Sequence, residues 1–330
     1  MDELVAHSVN HNASDLHLCT AGGSFWRRNG ELEPLPFPVP EIESLLEGWL
    51  DERQHRQFES EGQIDFAITL SCGQRLRANA FKREGAVGLA LRLLPVRCPE
   101  PELLGVPEAF LNRLTCRGLI LVTGATGSGK SVTLNAAIGS ILAQGGRHVV
   151  TLEDPVEFIH PSAKGLIQQR EVGRHCASFS EGLRAALRQD PDVIVLGELR
   201  DEETIRLALT AAETGHLVLA TLHTRGACQA VERLVDAFGE GERHAVRSQL
   251  AGSLLAVLAQ RLVVGEGGRL ALYELLLNCP AVANLIREGK DHQLPGLLQT
   301  GQQLGMQSFA QALVKLKAAG KVNMEADAGD

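Results

Sequence analysis

Aromatic residues are scarce in this chain, 4% of 330 residues, with two tryptophans and a single tyrosine. The hydrophobic fraction of 44% must therefore fill the core with aliphatic side chains, as α/β proteins tend to do. A basic excess is also missing. The formal net charge is −8, which argues against a broad electrostatic grip on nucleic acid. The seven cysteines (Cys19, Cys72, Cys98, Cys116, Cys176, Cys228 and Cys279) lie far apart with no C-x-x-C pair. Such an odd, scattered set argues against a disulfide framework or zinc module and fits reduced thiols in the cytosol. No long apolar run occurs either. The greasiest stretch, residues 250–259, is interrupted by Gly252 and Ser253 and is short of the about 20 residues a bilayer requires. The opening MDELVAHSVN is acidic and lacks the apolar centre of a secretory signal. A cytoplasmic chain without internal repeats is expected.

What is present is concentrated at residues 119–131, LILVTGATGSGKS. Gly124, Gly127, Gly129, Lys130 and Ser131 fill the phosphate-loop pattern G-x-x-x-x-G-K-[ST] without a mismatch. The apolar run 119–122 suits a buried strand and 132–142 a helix. A strand–loop–helix of this kind aims backbone N–H groups and the positive end of a helix dipole at phosphate oxygens. Glycines are needed because side chains would block that approach, and some positions favour positive φ. Gly124, Ala125, Thr126, Gly127, Ser128, Gly129, Lys130, Ser131 and Val132 are thus the expected nucleotide cradle. Lys130 would meet the β- and γ-phosphates of ATP, and the Ser131 hydroxyl would ligate Mg²⁺.

A length of 330 residues accommodates about two domains. Residues 1–97 read as a small α+β domain. Short strands are expected over 64–70, 76–81 and 87–93, with a turn at 71–74 and one helix over 41–58. Pro95, Pro99, Pro101 and Pro107 mark a stiff connector, taken as residues 98–112. From 113 to 330 strands (119–122, 148–152, 193–196, 217–221) alternate with helices (132–142, 180–187, 204–212). That rhythm predicts a parallel sheet wrapped by helices, with ligand loops at the carboxyl ends of its strands. A helical region is expected over about 270–322, and a frayed tail at 323–330.

A phosphate loop needs a residue that positions the attacking water and another near Mg²⁺. Two acidic sites stand at predicted strand ends. TLEDPVEF places Glu153, Asp154 and Glu157 after 148–152, and DVIVLGELRD places Glu198 after 193–196. Two histidines, His216 in ETGH and His223 in TLHT, flank the strand 217–221. His223 would reach the carboxyl edge beside the phosphates, where a donor can sense the γ-phosphate.

In the order GATGSGKS, TLEDPVEF, DPDVIVLGELRDEETIRLALTAAETGHLVLATLHT, the chain resembles the ATPases of type II secretion and type IV pili. It is most similar to the PilT-type pilus retraction ATPases, over nearly its whole length. ASDLHL (13–18), RLRANAF (75–81), QREVG (169–173) and NLIREGK (284–290) carry the resemblance further. The resemblance implies a RecA-like P-loop ATPase core with a parallel-rich sheet, preceded by a PAS-like α+β domain and followed by a helical C-terminal region. It implies Lys130 and Ser131 as the Walker A pair and Glu157 as the water-polarising glutamate. Glu198 would be the Walker B glutamate close to Mg²⁺, through water, and His216 and His223 the histidine box. Arg75, Arg77 and Arg92 are the candidate charge-neutralising arginines of the first domain.

The implied function is a cytoplasmic, homohexameric Mg²⁺-ATPase that withdraws pili, peripheral to the inner membrane without insertion. It would act on an inner-membrane platform protein and on pilin indirectly, with no nucleic acid. A RecA-like nucleic-acid motor and a non-cycling ATP-binding regulator are the alternatives. Assembly-type relatives are longer and carry a four-cysteine zinc module, which this chain lacks. One departure stands out. Where retraction ATPases carry A-I-R-N-L-I-R-E, this chain reads AVANLIRE over 281–288, with Ala283 in place of the first arginine.

Overall fold

The period-two pattern of RLRANAFKR shows how the first unit is built. Leu76, Ala78 and Ala80 point into a core, and Arg75, Arg77 and Asn79 point the other way. In a computed structural model the chain is described at residues 1–322 except 21, 96, 163, 266 and 267. The expected tail 323–330 lies outside the described residues. The chain divides into two units, Met1–Arg97 with Pro155–Ile159, and Cys98–Asp154 with His160–Asp330.

In the first unit, helix α1 (Asp2–Asn10) leads into strands β1 (Ala13–Cys19), β2 (Phe25–Arg28) and β3 (Glu31–Pro34). Helices α2 (Ile42–Trp49) and α3 (Glu52–Glu61) precede β4 (Gln63–Thr69), β5 (Arg75–Arg83) and β6 (Ala86–Leu93). Among the described residues these strands pair antiparallel in the order β3-β2-β1-β6-β5-β4. Leu16, Leu18, Trp26, Phe58, Phe66 and Leu91 fill the core on one face. The single helix expected over 41–58 is two. Leu50 turns to extended backbone, and Asp51 starts α3 with a capping box, its carboxylate accepting from the Gln54 N–H while the Gln54 side chain accepts from Asp51 N–H.

The second unit opens with the short helix α4 (Glu108–Leu111), then β7 (Gly118–Thr123), α5 (Lys130–Gln144), β8 (His148–Glu153) and β9 (Leu166–Glu171). Next come α6 (Phe179–Ala186), β10 (Val193–Leu196), α7 (Glu202–Glu213), β11 (Leu217–Leu222), α8 (Ala227–Asp236) and α9 (Glu240–Ser253). Strands β12 (Leu254–Gly265) and β13 (Gly268–Leu277) follow, then α10 (Pro280–Glu288), α11 (Leu294–Thr300) and α12 (Phe309–Ala318).

The sheet runs β13-β12-β7-β11-β10-β8-β9, parallel throughout except for the antiparallel pair β12–β13. Every residue of β7, β10 and β11 is buried, as a parallel sheet covered on both faces requires. Residues 268–277 therefore form a strand, not the start of the helical region, which begins at Pro280. Their run LALYELLL packs apolar side chains on both faces, a pattern shared by buried strands and buried helices. Among the described residues no helix is long and apolar enough to cross a membrane.

Candidate active site

Strand β7 delivers Thr123 to the carboxyl edge of the sheet, where the loop 124–129 turns back into α5. Two glycines there are dictated by the strand alongside. A Cβ on Gly124 (φ +152) would come within 2.4 Å of the Gln260 carbonyl oxygen and 2.6 Å of Ser128 Oγ. One on Gly129 (φ +89), the N-cap of α5, would meet Gln260 Nε2 at 2.8 Å. The loop thus lies directly on β12, and only glycine allows that approach with positive φ. Lys130, the first residue of α5, is 8% exposed. Its ammonium donates to the carbonyls of Gly124 (2.8 Å) and Ala125 (2.9 Å) and lies 3.4 Å from His223 Nδ1. Burial pushes the Lys130 pKa down, and the negative Glu198 opposes that shift. A partly desolvated cation facing a loop of backbone groups suits a polyanion.

Glu198 follows β10 at the same edge of the sheet. Its Oε1 lies 3.2 Å from His223 Nε2, and its Oε2 accepts from Arg200 Nε at 2.6 Å. The Arg200 guanidinium is held more firmly protonated by that bond and by the charges of Glu198 and Asp154. His223 follows β11, and its loop is pinned next to the phosphate loop by Thr123. The Thr224 N–H donates to Thr123 Oγ1 at 3.0 Å, and the two hydroxyls sit 2.7 Å apart. Glu153, buried at the end of β8, accepts from Thr151 Oγ1 (2.6 Å) and Gln169 Nε2 (3.1 Å). Lys130, His223, Glu198 and Arg200 therefore form one connected array at the ends of parallel strands.

His216 is not brought to it. It precedes β11, where its Nδ1 sits 3.0 Å from the Ala211 carbonyl oxygen and 3.3 Å from Thr214 Oγ1. The strand between the two histidines, at about 3.3 Å per residue, separates them by about 20 Å. Glu157 belongs to the segment grouped with the first unit, where it pairs with Arg77 at 3.2 Å. Arg75 donates to the neighbouring Val156 carbonyl oxygen from Nε (2.9 Å) and Nη2 (2.6 Å). Arg92 pairs instead with Asp15 at 2.9 Å. Arg77 and Arg92 lie opposite each other across β5 and β6. Like charges so placed repel, and each arginine has its own carboxylate.

The residues present fit a magnesium nucleotide. Ser128 Oγ is a buried hydroxyl with no partner among the described residues, inside the loop that would receive phosphate. Ser131 is exposed on the first turn of α5, and its hydroxyl and the Glu198 carboxylate are hard oxygen donors. Among the described residues no group of three or more His, Cys, Asp or Glu is arranged to hold a metal.

Sequence reasoning passed over Arg200, Thr123 and Gln260. The signal for Arg200 was its spacing two residues beyond Glu198. For Gln260 it was an amide inside the apolar run LLAVLAQRLVV.

A family profile described as Type II/IV secretion system protein matches residues 107–265. The chain is 60% identical over 314 residues to the uncharacterized protein YggR of Escherichia coli (strain K12), covering 94% of this chain and 96% of that one. It is 44% identical over 329 residues to the type IV pilus retractation ATPase PilT of Pseudomonas aeruginosa, covering 98% and 95%. The crystal structure of the pilus retraction motor PilT with bound ADP superposes with a TM-score of 0.88 at 40% identity, covering 98% and 94%. The sheet order and phosphate loop are thus those of a RecA-like ATPase core, and the chain belongs to the type II/IV secretion system ATPase family.

Proposed function

We propose that this chain is the subunit of a hexameric Mg²⁺-ATPase that powers type IV pilus retraction. It would act on an inner-membrane platform protein, and through it on pilin, from the cytoplasmic side without inserting. The observation that carries the reading is the array Lys130–His223–Glu198–Arg200 beside the phosphate loop, in a chain similar along its length to a retraction ATPase. Bound Mg²⁺ would neutralise charge on the β- and γ-phosphates. Lys130 holds the phosphates as a point charge, and Ser131 offers the metal a hydroxyl. Glu198, fixed between His223 and Arg200, would offer its carboxylate to hold the metal through water. His223 reports the γ-phosphate to the loop pinned by Thr123 and Thr224. We assign the polarising of the attacking water to Glu157, and charge neutralisation to Arg75 and Arg77 of a PAS-like first domain spanning 1–97. Arg92, occupied by Asp15, is the weakest of the three for that role.

Phosphate release by the purified chain with Mg²⁺ and ATP tests the reading, with Lys130→Ala as the control for contaminating activity. Turnover by the parent chain no greater than that of Lys130→Ala would sink it. Light scattering across protein and nucleotide concentration tests the ring, and a strict monomer with full activity would remove the hexamer.

A further inference from the structure

A line of hydrogen bonds joins the phosphate-loop helix to both flanks of the segment Pro155–Ile159. Asn135 sits one turn beyond Ser131 on α5 and is 3% exposed. Its Nδ2 donates to the Ser131 carbonyl oxygen at 2.9 Å, which leaves Oδ1 to accept. His160 Nε2 lies 2.8 Å from that oxygen, so the network assigns the ring proton to Nε2. Burial lowers the pKa of His160, and the ring that fits here is the neutral one. The backbone N–H of His160 donates to Gln169 Oε1 at 2.9 Å. Gln169 Nε2 then donates to Glu153 Oε1 at 3.1 Å, which also accepts from Thr151 Oγ1 at 2.6 Å. Glu153 comes just before the segment and His160 directly after it. Both flanks are therefore fixed within the second unit, and the carboxyl-side flank is fixed to the turn of α5 that carries Ser131.

We propose that His160 is a positioning residue: paired with Asn135, it holds the end of the Glu157-bearing segment on the Ser131 turn. A shift of that turn when metal and phosphate engage would then be passed to the segment. The proposal rests on the roles given above to Ser131 and Glu157. Asn135 belongs to the interior face of α5, among mostly apolar buried residues of that helix. A buried amide in that position calls for partners, and it has two.

The test compares His160→Phe, His160→Gln, Asn135→Ala and the double variant His160→Phe/Asn135→Ala. Three readouts are needed: amide exchange of residues 156–159 in nucleotide-free protein, ATP affinity without Mg²⁺, and kcat and KM with it. In His160→Phe, exchange should quicken about fivefold to twentyfold, the effect of one lost buried hydrogen bond. Its kcat should fall about tenfold, while Mg²⁺-free affinity stays within about twofold. His160→Gln retains an N–H donor of similar reach and should recover most of both losses. The double variant should be no worse than the worse single one, because both remove the same bond. Unchanged exchange in His160→Phe, or losses that multiply in the double variant, would overturn the proposal. Normal turnover in Glu157→Gln would instead overturn the role given to Glu157, with the exchange and coupling results still deciding the tether.

Discussion

Replacing Lys130 with Met separates a functional lysine from a structural one, because the two roles predict opposite ledgers. Lys130 is 8% exposed, its ammonium is bonded to two loop carbonyls at 2.8 and 2.9 Å, and its pKa is depressed by burial. Each hydrogen bond to a charged group contributes about 1.5–3 kcal/mol. Keeping the cation out of water costs several kcal/mol in return. For folding these nearly cancel, and the Ala125 carbonyl sits in an exposed stretch of loop where water can replace the lost donor. Lys130→Met should therefore change the unfolding free energy, measured in urea, by no more than about 1 kcal/mol. Binding has no such compensation. Losing two charge-assisted bonds to phosphate removes about 3–6 kcal/mol, or about 10²–10⁴-fold in affinity. Titration of a fluorescent nucleotide reads that directly. An affinity within about threefold of the parent, with stability reduced by more than about 3 kcal/mol, would show that Lys130 only holds its loop together.

Glu157→Gln should bind Mg·ATP normally yet turn over about 10²–10⁴-fold more slowly, the range for a lost general base. A phosphate-release assay in which Glu198→Gln is dead and Glu157→Gln nearly normal would exchange their roles. Alkaline pH should destabilise the fold, because burial pushes the Cys228 thiol up to about 12 from 9.0 and the Tyr273 hydroxyl up to about 12 from 10.0. Their contribution is intact below about pH 9 and lost as pH rises toward 12, since the unfolded chain releases those protons first. At pH 10 Cys228 alone should cost about 1.4 kcal/mol, and Cys228→Ala should flatten the fall of the urea midpoint between pH 8 and 10.5. Asp51→Ala removes the capping box of α3 and should lower stability by about 1 kcal/mol with ATPase activity unchanged, as a urea titration paired with phosphate release will show. Ala283→Arg restores a cation one turn from the exposed Arg287 on α10. ATPase rate should hold while twitching in a retraction-deficient host improves, and equal motility with Ala and Arg would remove any coupling role for that position.

What could be read from the sequence was local in the chain. The loop 124–131 and Glu198 each stand where an apolar run ends, and the parallel sheet gathers those ends at one edge. His216 and His223 were read together from their flanking positions, and the chain's direction through β11 leaves only His223 at the edge that carries the loop. The split at Leu50 had a signal, Asp51 with Gln54 three residues on, yet apolar residues at helical spacing on either side of it read as one helix. Strand 268–277 had none, because burial on both faces erases the alternation that identifies a strand.

The contacts that set the loop's shape are the ones no local pattern announces. Thr133, three residues into α5, donates to Gln260 Oε1 at 2.8 Å across 127 positions of sequence, and its hydroxyl lies 3.2 Å from that of Tyr273. All three side chains are buried. A buried tyrosine hydroxyl needs a partner, and in a chain with a single tyrosine that requirement falls at one place, beneath the nucleotide loop. The same Gln260 lines the space that Cβ atoms on Gly124 and Gly129 would occupy. The glycines identify the loop in the sequence, but their physical necessity comes from a strand that enters the sheet after all the nucleotide motifs have passed. β12 and β13 thus make the C-terminal part of the second unit a structural component of the nucleotide site, so substitutions there should alter nucleotide affinity even though no nucleotide motif lies within them.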